Sequence, residues 1–159
     1  MELPVRKPNR MRGYDYSRPG LYFLTVCTRD KRCLFWENPG RDLQTPEELV
    51  LTEAGQVLKA AIEGMADHYA TIQLDNYVIM PNHFHLLLCL EAAGPEQAKA
   101  SISQAIGQLK RTVSMALGQA LWQKSFHDHV VRNEKDYQRI WEYIHTNPMR
   151  WAKDCFFVE

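Results

Sequence analysis

The sequence predicts an α+β domain, an antiparallel sheet with helices packed on it, and three observations carry that expectation. Short runs of β-branched and aromatic residues alternate with stretches whose apolar residues recur at helical spacing. Two of the runs are separated only by Pro81-Asn82, which leaves room for a hairpin turn and none for a crossover. With 159 residues, 45% of them hydrophobic and 24% charged, the chain can bury one core of ordinary size. One domain over residues 1–159 is therefore expected, with residues 1–18 as a basic N-terminal arm.

Gly20 opens LYFLTVCT, and Leu21 to Thr28 reads as the first strand. Asp30-Lys31-Arg32 marks a turn, Cys33 to Trp36 a short apolar piece, and Asn38-Pro39-Gly40 a break. Thr52 suits the N-cap of a helix reaching about His68, because Val57, Leu58, Ala61, Ile62 and Met65 recur every three or four residues. A strand then runs from Ile72 to Met80, and His83 to Leu90 returns beside it. Gly94-Pro95 suits the start of a second helix, whose apolar face is Ile102, Ala105, Ile106, Leu109 and Val113. Leu121 to Val131 is the expected last strand. Asn133 caps a final helix from Glu134 to about Asn147, stopped by Pro148, with Ile140, Trp141 and Ile144 as its buried face. This order resembles a ferredoxin-like sandwich with one extra C-terminal helix.

Several classes drop out. No run of about 18 apolar residues is present, and the basic start has no apolar segment behind it, so neither a membrane span nor a secretory leader is expected. Cys27, Cys33, Cys89 and Cys155 are far apart and form no C-x-x-C pair, which fits a reduced, cytoplasmic compartment. The formal net charge is zero, but its distribution is uneven. Arg6 to Arg32 holds eight basic side chains against Asp15 and Asp30, while Glu37 to Asp67 is acidic. The two cancel in the sum and still leave one face positive, so nucleic acid is not excluded.

The chemistry concentrates in VIMPNHFHLLL, residues 78–88. On a strand His83 and His85 share one face while Phe84, Leu86 and Leu88 share the other. Two imidazoles two residues apart can chelate one divalent ion, and the apolar alternates would hold them rigid. A histidine-triad hydrolase needs a third histidine where this chain has Leu87, which removes that class. The final helix places Arg139, Tyr143 and Asn147 at intervals of four, in one stripe that can bring a phenol and a metal-binding oxygen to one point. The plainer account of that stripe is a tyrosine at the core edge and an asparagine ending the helix.

Three segments, RPGLYFLTVCTRDKRCLF, MPNHFHLLL and WQKSFHDHVVRNEKDYQRIWEYIHTNP, follow one another over nearly the whole chain. Together they resemble the single-tyrosine HUH transposases, most closely the REP-associated tyrosine transposases of bacteria. The resemblance implies a metal-dependent single-stranded DNA endonuclease and strand transferase working through a 5′-phosphotyrosine. It maps the nucleophile onto Tyr143 and the metal ligands onto His83, His85 and Asn147, with Mg2+ or Mn2+ as the ion. Tyr137 competes as nucleophile, but its neighbour one turn on is Trp141, which cannot ligate a metal. His129 is expected near the site as a supporting or DNA contact, and His127 on the surface. Arg10, Arg12, Lys110, Arg111, Arg132, Arg139 and Arg150 are candidate phosphate contacts. The implied substrate is single-stranded DNA folded as a palindromic hairpin in the bacterial nucleoid, bound by a monomer or homodimer. Many relatives extend past the final helix, so a contribution from such a tail is expected to be missing after Glu159. The alternatives are a domesticated, non-catalytic hairpin-binding protein, a hydrolase using water in place of tyrosine, and a zinc hydrolase built from all four histidines.

Overall fold

Four strands pair into a single antiparallel sheet: β1 (Gly20–Cys27), β2 (Ile72–Ile79), β3 (His83–Leu90) and β4 (His127–Val130), in the order β2-β3-β1-β4. They come from a computed structural model that describes residues 14–40 and 43–158. Three helices pack on the sheet: α1 (Glu53–Gly64), α2 (Ile102–Leu117) and α3 (Glu134–Thr146). The expected α+β sandwich with an added C-terminal helix is what forms. Arg10 and Arg12 of the basic arm lie outside the described residues.

Strand alternation divides the molecule into two layers. Tyr22, Leu24 and Val26 of β1 pair with Leu88, Leu86 and Phe84 of β3, and this face packs on α1 and α2. Phe23, Thr25 and Cys27 pair with Leu87, His85 and His83, and this face lies under α3. Because both faces of β3 are covered, the strand is buried almost throughout.

The Thr52 hydroxyl accepts the Gly55 N–H at 3.0 Å and so caps α1, a contact worth about 1 kcal/mol. Leu58 and Ile62 point inward, and a 3-10 turn at Met65–His68 carries the chain to β2. All five apolar positions expected on α2 are buried. That helix does not start at Gly94-Pro95, however. Gly94 and Gln97 close a local turn on each other, and the capping group is Ser101, whose hydroxyl accepts the Gln104 N–H at 3.1 Å.

The last strand is also shorter than Leu121–Val131. Ser125 takes the left-handed conformation (φ 74°), which breaks pairing, and Trp122 meets the sheet only as an isolated bridge to Thr28. Lys110 holds this stretch to α2 by donating to the carbonyls of Gln123 (2.8 Å) and Ser125 (3.1 Å).

Asn133 caps α3 through the Asp136 N–H, as the sequence predicts. The α-helix ends at Thr146, but Pro148 does not straighten the chain: Asn147 keeps helical angles and opens a 3-10 segment, Asn147–Lys153. Ile140 and Ile144 are buried, whereas Trp141 is 41% exposed. Its indole is drawn to the helix rim by Asp75 (3.0 Å), which also accepts the Tyr137 hydroxyl (2.7 Å). Asp75 is free to do this because the β2–β3 register shifts between Leu74 and Asn76, leaving one unpaired residue. No described helix is long and apolar enough to cross a membrane.

Gly55 sits where a Cβ would lie 2.4 Å from the Phe35 carbonyl oxygen. Gly55→Ala should therefore destabilise the fold by about 1–3 kcal/mol, read as a lower urea midpoint with unchanged slope.

Candidate active site

His83 and His85 occupy the centre of the α3 face and are 0% and 2% exposed. Their ring centroids lie 4.8 Å apart at 79°. His83 Nδ1 lies 2.8 Å from Asn82 Oδ1. The Asn82 amide nitrogen donates to the carbonyls of Phe156 (2.8 Å) and Lys31 (3.4 Å), which fixes its oxygen toward the imidazole. An amide oxygen only accepts, so the His83 proton sits on Nδ1 and Nε2 carries a free lone pair. His85 Nδ1 pairs with the Thr25 hydroxyl at 2.8 Å, which likewise turns Nε2 toward α3. Burial lowers the pKa of His83 to about 3 and that of His85 well below the usual imidazole value, with the neighbouring His83 adding to the second shift. Both rings are neutral at pH 7, the form that ligates metal.

Tyr143 comes down from α3 over this pair. Its ring centroid is 5.3 Å from His85 and 6.0 Å from Phe23, both edge-on, while Phe23 stacks on His85 at 5.1 Å. The residue is 40% exposed and borders an open hollow with Phe23, His129, Arg139 and Ile140. Burial, then the charge of Asp154, pushes its pKa up to about 12. Unaided, the phenol is protonated at neutral pH.

Asn147 is buried beneath the end of α3, within electrostatic reach of both His85 and Tyr143. Its amide nitrogen donates to Asp154 Oδ2 at 2.9 Å, leaving its oxygen unpaired. Three buried atoms thus lack a hydrogen-bond partner on this side of the sheet: His83 Nε2, His85 Nε2 and Asn147 Oδ1. Among the described residues no three His, Cys, Asp or Glu side chains group to hold a metal, and Asn147 Oδ1 is the unpartnered side-chain oxygen on this side of the sheet. The orphaned set, two imidazole nitrogens and one amide oxygen, fits a divalent ion.

The sequence reading missed Asp154. Its carboxylate is fully buried, orients Asn147, and lies 3.7 Å from His83 Nε2. Phe156 then lays its ring 4.6 Å from that of His83. Residues this far past the last helix carry no periodic signal.

The remaining candidates separate by location. Tyr137 gives its hydroxyl to Asp75 and serves to dock α3. His129 pairs in register with Phe23, beside Tyr143, and binds Asp136 at 2.7 Å; Arg139 binds the same carboxylate at 2.7 Å. Arg132 is exposed at the start of α3 and Arg150 after its end. Lys110 is engaged by backbone carbonyls, and Arg111 is exposed on α2, in the layer across the sheet from Tyr143. His127 shares the face of His85, on the far side of Thr25.

The site is thus a four-stranded antiparallel sheet with two buried histidines under a helix-borne tyrosine. Among known proteins, the chain is similar to REP-associated tyrosine transposases. It is 26% identical over 141 residues to the REP-associated tyrosine transposase of Escherichia coli (strain K12), covering 87% of this chain and 73% of that one. An uncharacterized protein of Haemophilus influenzae is 28% identical over 175 residues, 97% of this chain and 94% of its own. Among solved structures, a REP-associated tyrosine transposase bound to a REP hairpin matches with a TM-score of 0.62 at 27% identity, over 93% of this chain and 75% of that one. No protein-family profile matches the chain.

Asp136 gives the site an acid limit. The hydrogen bond from His129, helped by the Arg132 N–H and Arg139, lowers its carboxyl from the ordinary 3.8 to about 2. A depressed carboxyl stabilises the fold above its unfolded pKa, and that contribution is lost as pH falls through the folded one. Asp136→Asn should therefore flatten the decline of the urea midpoint between about pH 4 and pH 2, leaving the neutral-side slope alone.

Proposed function

We propose that the protein is a metal-dependent single-stranded DNA endonuclease and strand transferase of the HUH type, with Tyr143 as nucleophile. The observation that carries this reading is the trio of unpartnered buried donors, His83 Nε2, His85 Nε2 and Asn147 Oδ1, beside a half-open tyrosine. Leaving such groups unsatisfied costs roughly 1–3 kcal/mol each, a cost that a bound ion removes. The relatives' names and the hairpin in the solved neighbour point to a REP-like DNA hairpin as substrate.

His83, His85 and Asn147 would hold a Mg2+ or Mn2+ ion, which when bound would supply Lewis-acid neutralisation of the charge on the scissile phosphate. The chain's own groups do the rest. Thr25 and Asn82 fix the two imidazoles from behind, and Asp154 holds the Asn147 amide by its nitrogen, leaving the oxygen unpartnered. Phe23 packs edge-on to the Tyr143 ring and limits its swing. The phenolic oxygen attacks phosphorus in line, the P–O bond to the 3′ oxygen of the neighbouring nucleotide breaks, and that oxygen leaves as a hydroxyl. The phenolic proton passes to solvent or to the leaving oxygen. The 5′-phosphotyrosine keeps the energy of the broken bond, so an incoming 3′-hydroxyl can reverse the step and join strands without ATP.

Incubation with labelled single-stranded REP-like hairpins and Mn2+, followed by a denaturing gel, should give a covalent protein–DNA adduct that is abolished by chelator and absent in Tyr143→Phe. Cleavage that survives Tyr143→Phe would instead mark a water-using hydrolase. Binding without cleavage in the presence of Mn2+ would mark a domesticated hairpin-binding protein. The ion has its own readout. Mn2+ at about a hundred times its dissociation constant should stabilise the wild type by about 2.7 kcal/mol, and His85→Ala should erase that shift in thermal unfolding.

A further inference from the structure

Asp136 has more partners than a helix-surface carboxylate needs. It sits in the first turn of α3, nearly buried, with Oδ2 accepting from His129 Nε2 (2.7 Å) and from the Arg132 N–H (3.2 Å). Its Oδ1 accepts from Arg139 at 2.7 Å. The two side chains it holds remain open, His129 at 41% and Arg139 at 74% exposure. An ordinary exposed ion pair leaves both partners free to wander and contributes little. Here one anchored anion fixes two donors from two different elements, β4 and α3.

What those donors border matters. A trough of about 570 Å³ runs along α3, with Arg132, Lys135, Arg139 and His129 on its wall alongside the acidic Asp136 and Glu142. A second hollow of about 330 Å³ is lined by Phe23, His129, Arg139, Ile140 and Tyr143. His129 and Arg139 belong to both and therefore stand where the trough opens onto the tyrosine. Arg139 commits one nitrogen to Asp136 and has further N–H donors for a phosphate oxygen.

We propose that Asp136 is a positioning residue that sets His129 and Arg139 as the two sides of a track for the phosphodiester backbone flanking the scissile phosphate. The track delivers single-stranded DNA from the trough to Tyr143, and it rests on the reading of Tyr143 as the nucleophile. Asp136 itself touches no substrate; it acts through the two side chains it holds. Phosphate contacts fix the register of a strand, so misaiming them misplaces the reacting phosphate and slows attack more than it weakens binding.

The test compares wild type, Asp136→Asn, Arg139→Gln, the double variant His129→Gln/Arg139→Gln, and that double variant carrying Asp136→Asn. Each is measured for adduct rate at saturating hairpin DNA with Mn2+, for affinity toward a plain oligothymidine at several salt concentrations, and for its melting midpoint. Asp136→Asn should lower the adduct rate by about tenfold to a hundredfold. Arg139→Gln and Asp136→Asn should each reduce the salt slope of oligothymidine binding by about 0.7, one phosphate contact on a single strand. In the double variant the added Asp136→Asn should cost nothing more, because its targets are already gone. Removing an anion from a DNA-facing surface by itself tightens binding. A wild-type adduct rate with tighter binding and an unchanged slope in Asp136→Asn would therefore overturn the proposal. So would an equal loss from Asp136→Asn with and without His129 and Arg139, which marks a role in folding alone. If Asp136→Asn does not fold, an unchanged adduct rate and salt slope in the folded Arg139→Gln variant overturns the track by itself. If the wild type forms no adduct with any DNA, the nucleophile reading fails, and the salt slopes still decide whether the track exists.

Discussion

Two imidazoles packed on the central strand of the sheet, each with one nitrogen left without a hydrogen bond, are what the surrounding structure is organised around. Burying an unpaired polar nitrogen is costly, and β3 does it twice within three residues. The neighbouring groups do not relieve that cost. Asn82 and Thr25 occupy the Nδ1 side of each ring and thereby aim both Nε2 lone pairs outward, toward α3. Asn147, held by Asp154, adds an oxygen whose lone pairs are also unused. The proposed ion would satisfy those three atoms at once.

Strand register connects that constraint to the fold. Because β1 lies opposite β3, Thr25 falls beside His85 and Phe23 one pleat further on, beside Leu87. Because β4 pairs on the other edge of β1, His129 arrives next to Phe23. The tyrosine is then placed by docking α3, and the anchor is the extra residue in β2: Asp75 takes the hydroxyl of Tyr137 and the indole of Trp141. Tyr143, on another side of the same helix, is left to face His85. A one-residue change in any of these registers would turn one of these side chains to the opposite face.

The parts of this arrangement with a period were legible in the sequence. Period two put His83 and His85 on one face, and the helical period put Tyr143 and Asn147 in one stripe, because local geometry alone decides those relations. The apolar face of α2 was readable for the same reason. Asp75, Asp136 and Asp154 were not, since each acts through a partner that only the tertiary fold brings near. Asp136 had one local hint, lying three residues after the cap Asn133, the place where an acid suits a helix start. Gly94-Pro95 misled because the pair serves a turn as well as a helix start, and the real cap, Ser101, stands several residues on. The over-long last strand had a similar origin: nothing in the residue type of Ser125 announces its left-handed backbone.

Crystals grown with Mn2+ and measured at a wavelength where manganese scatters anomalously would test the central claim most directly. The account predicts one strong anomalous peak bounded by His83 Nε2, His85 Nε2 and Asn147 Oδ1, beside the Tyr143 hydroxyl. Manganese bound elsewhere, at His127 and His129 for example, with those three atoms still unpartnered, would contradict it.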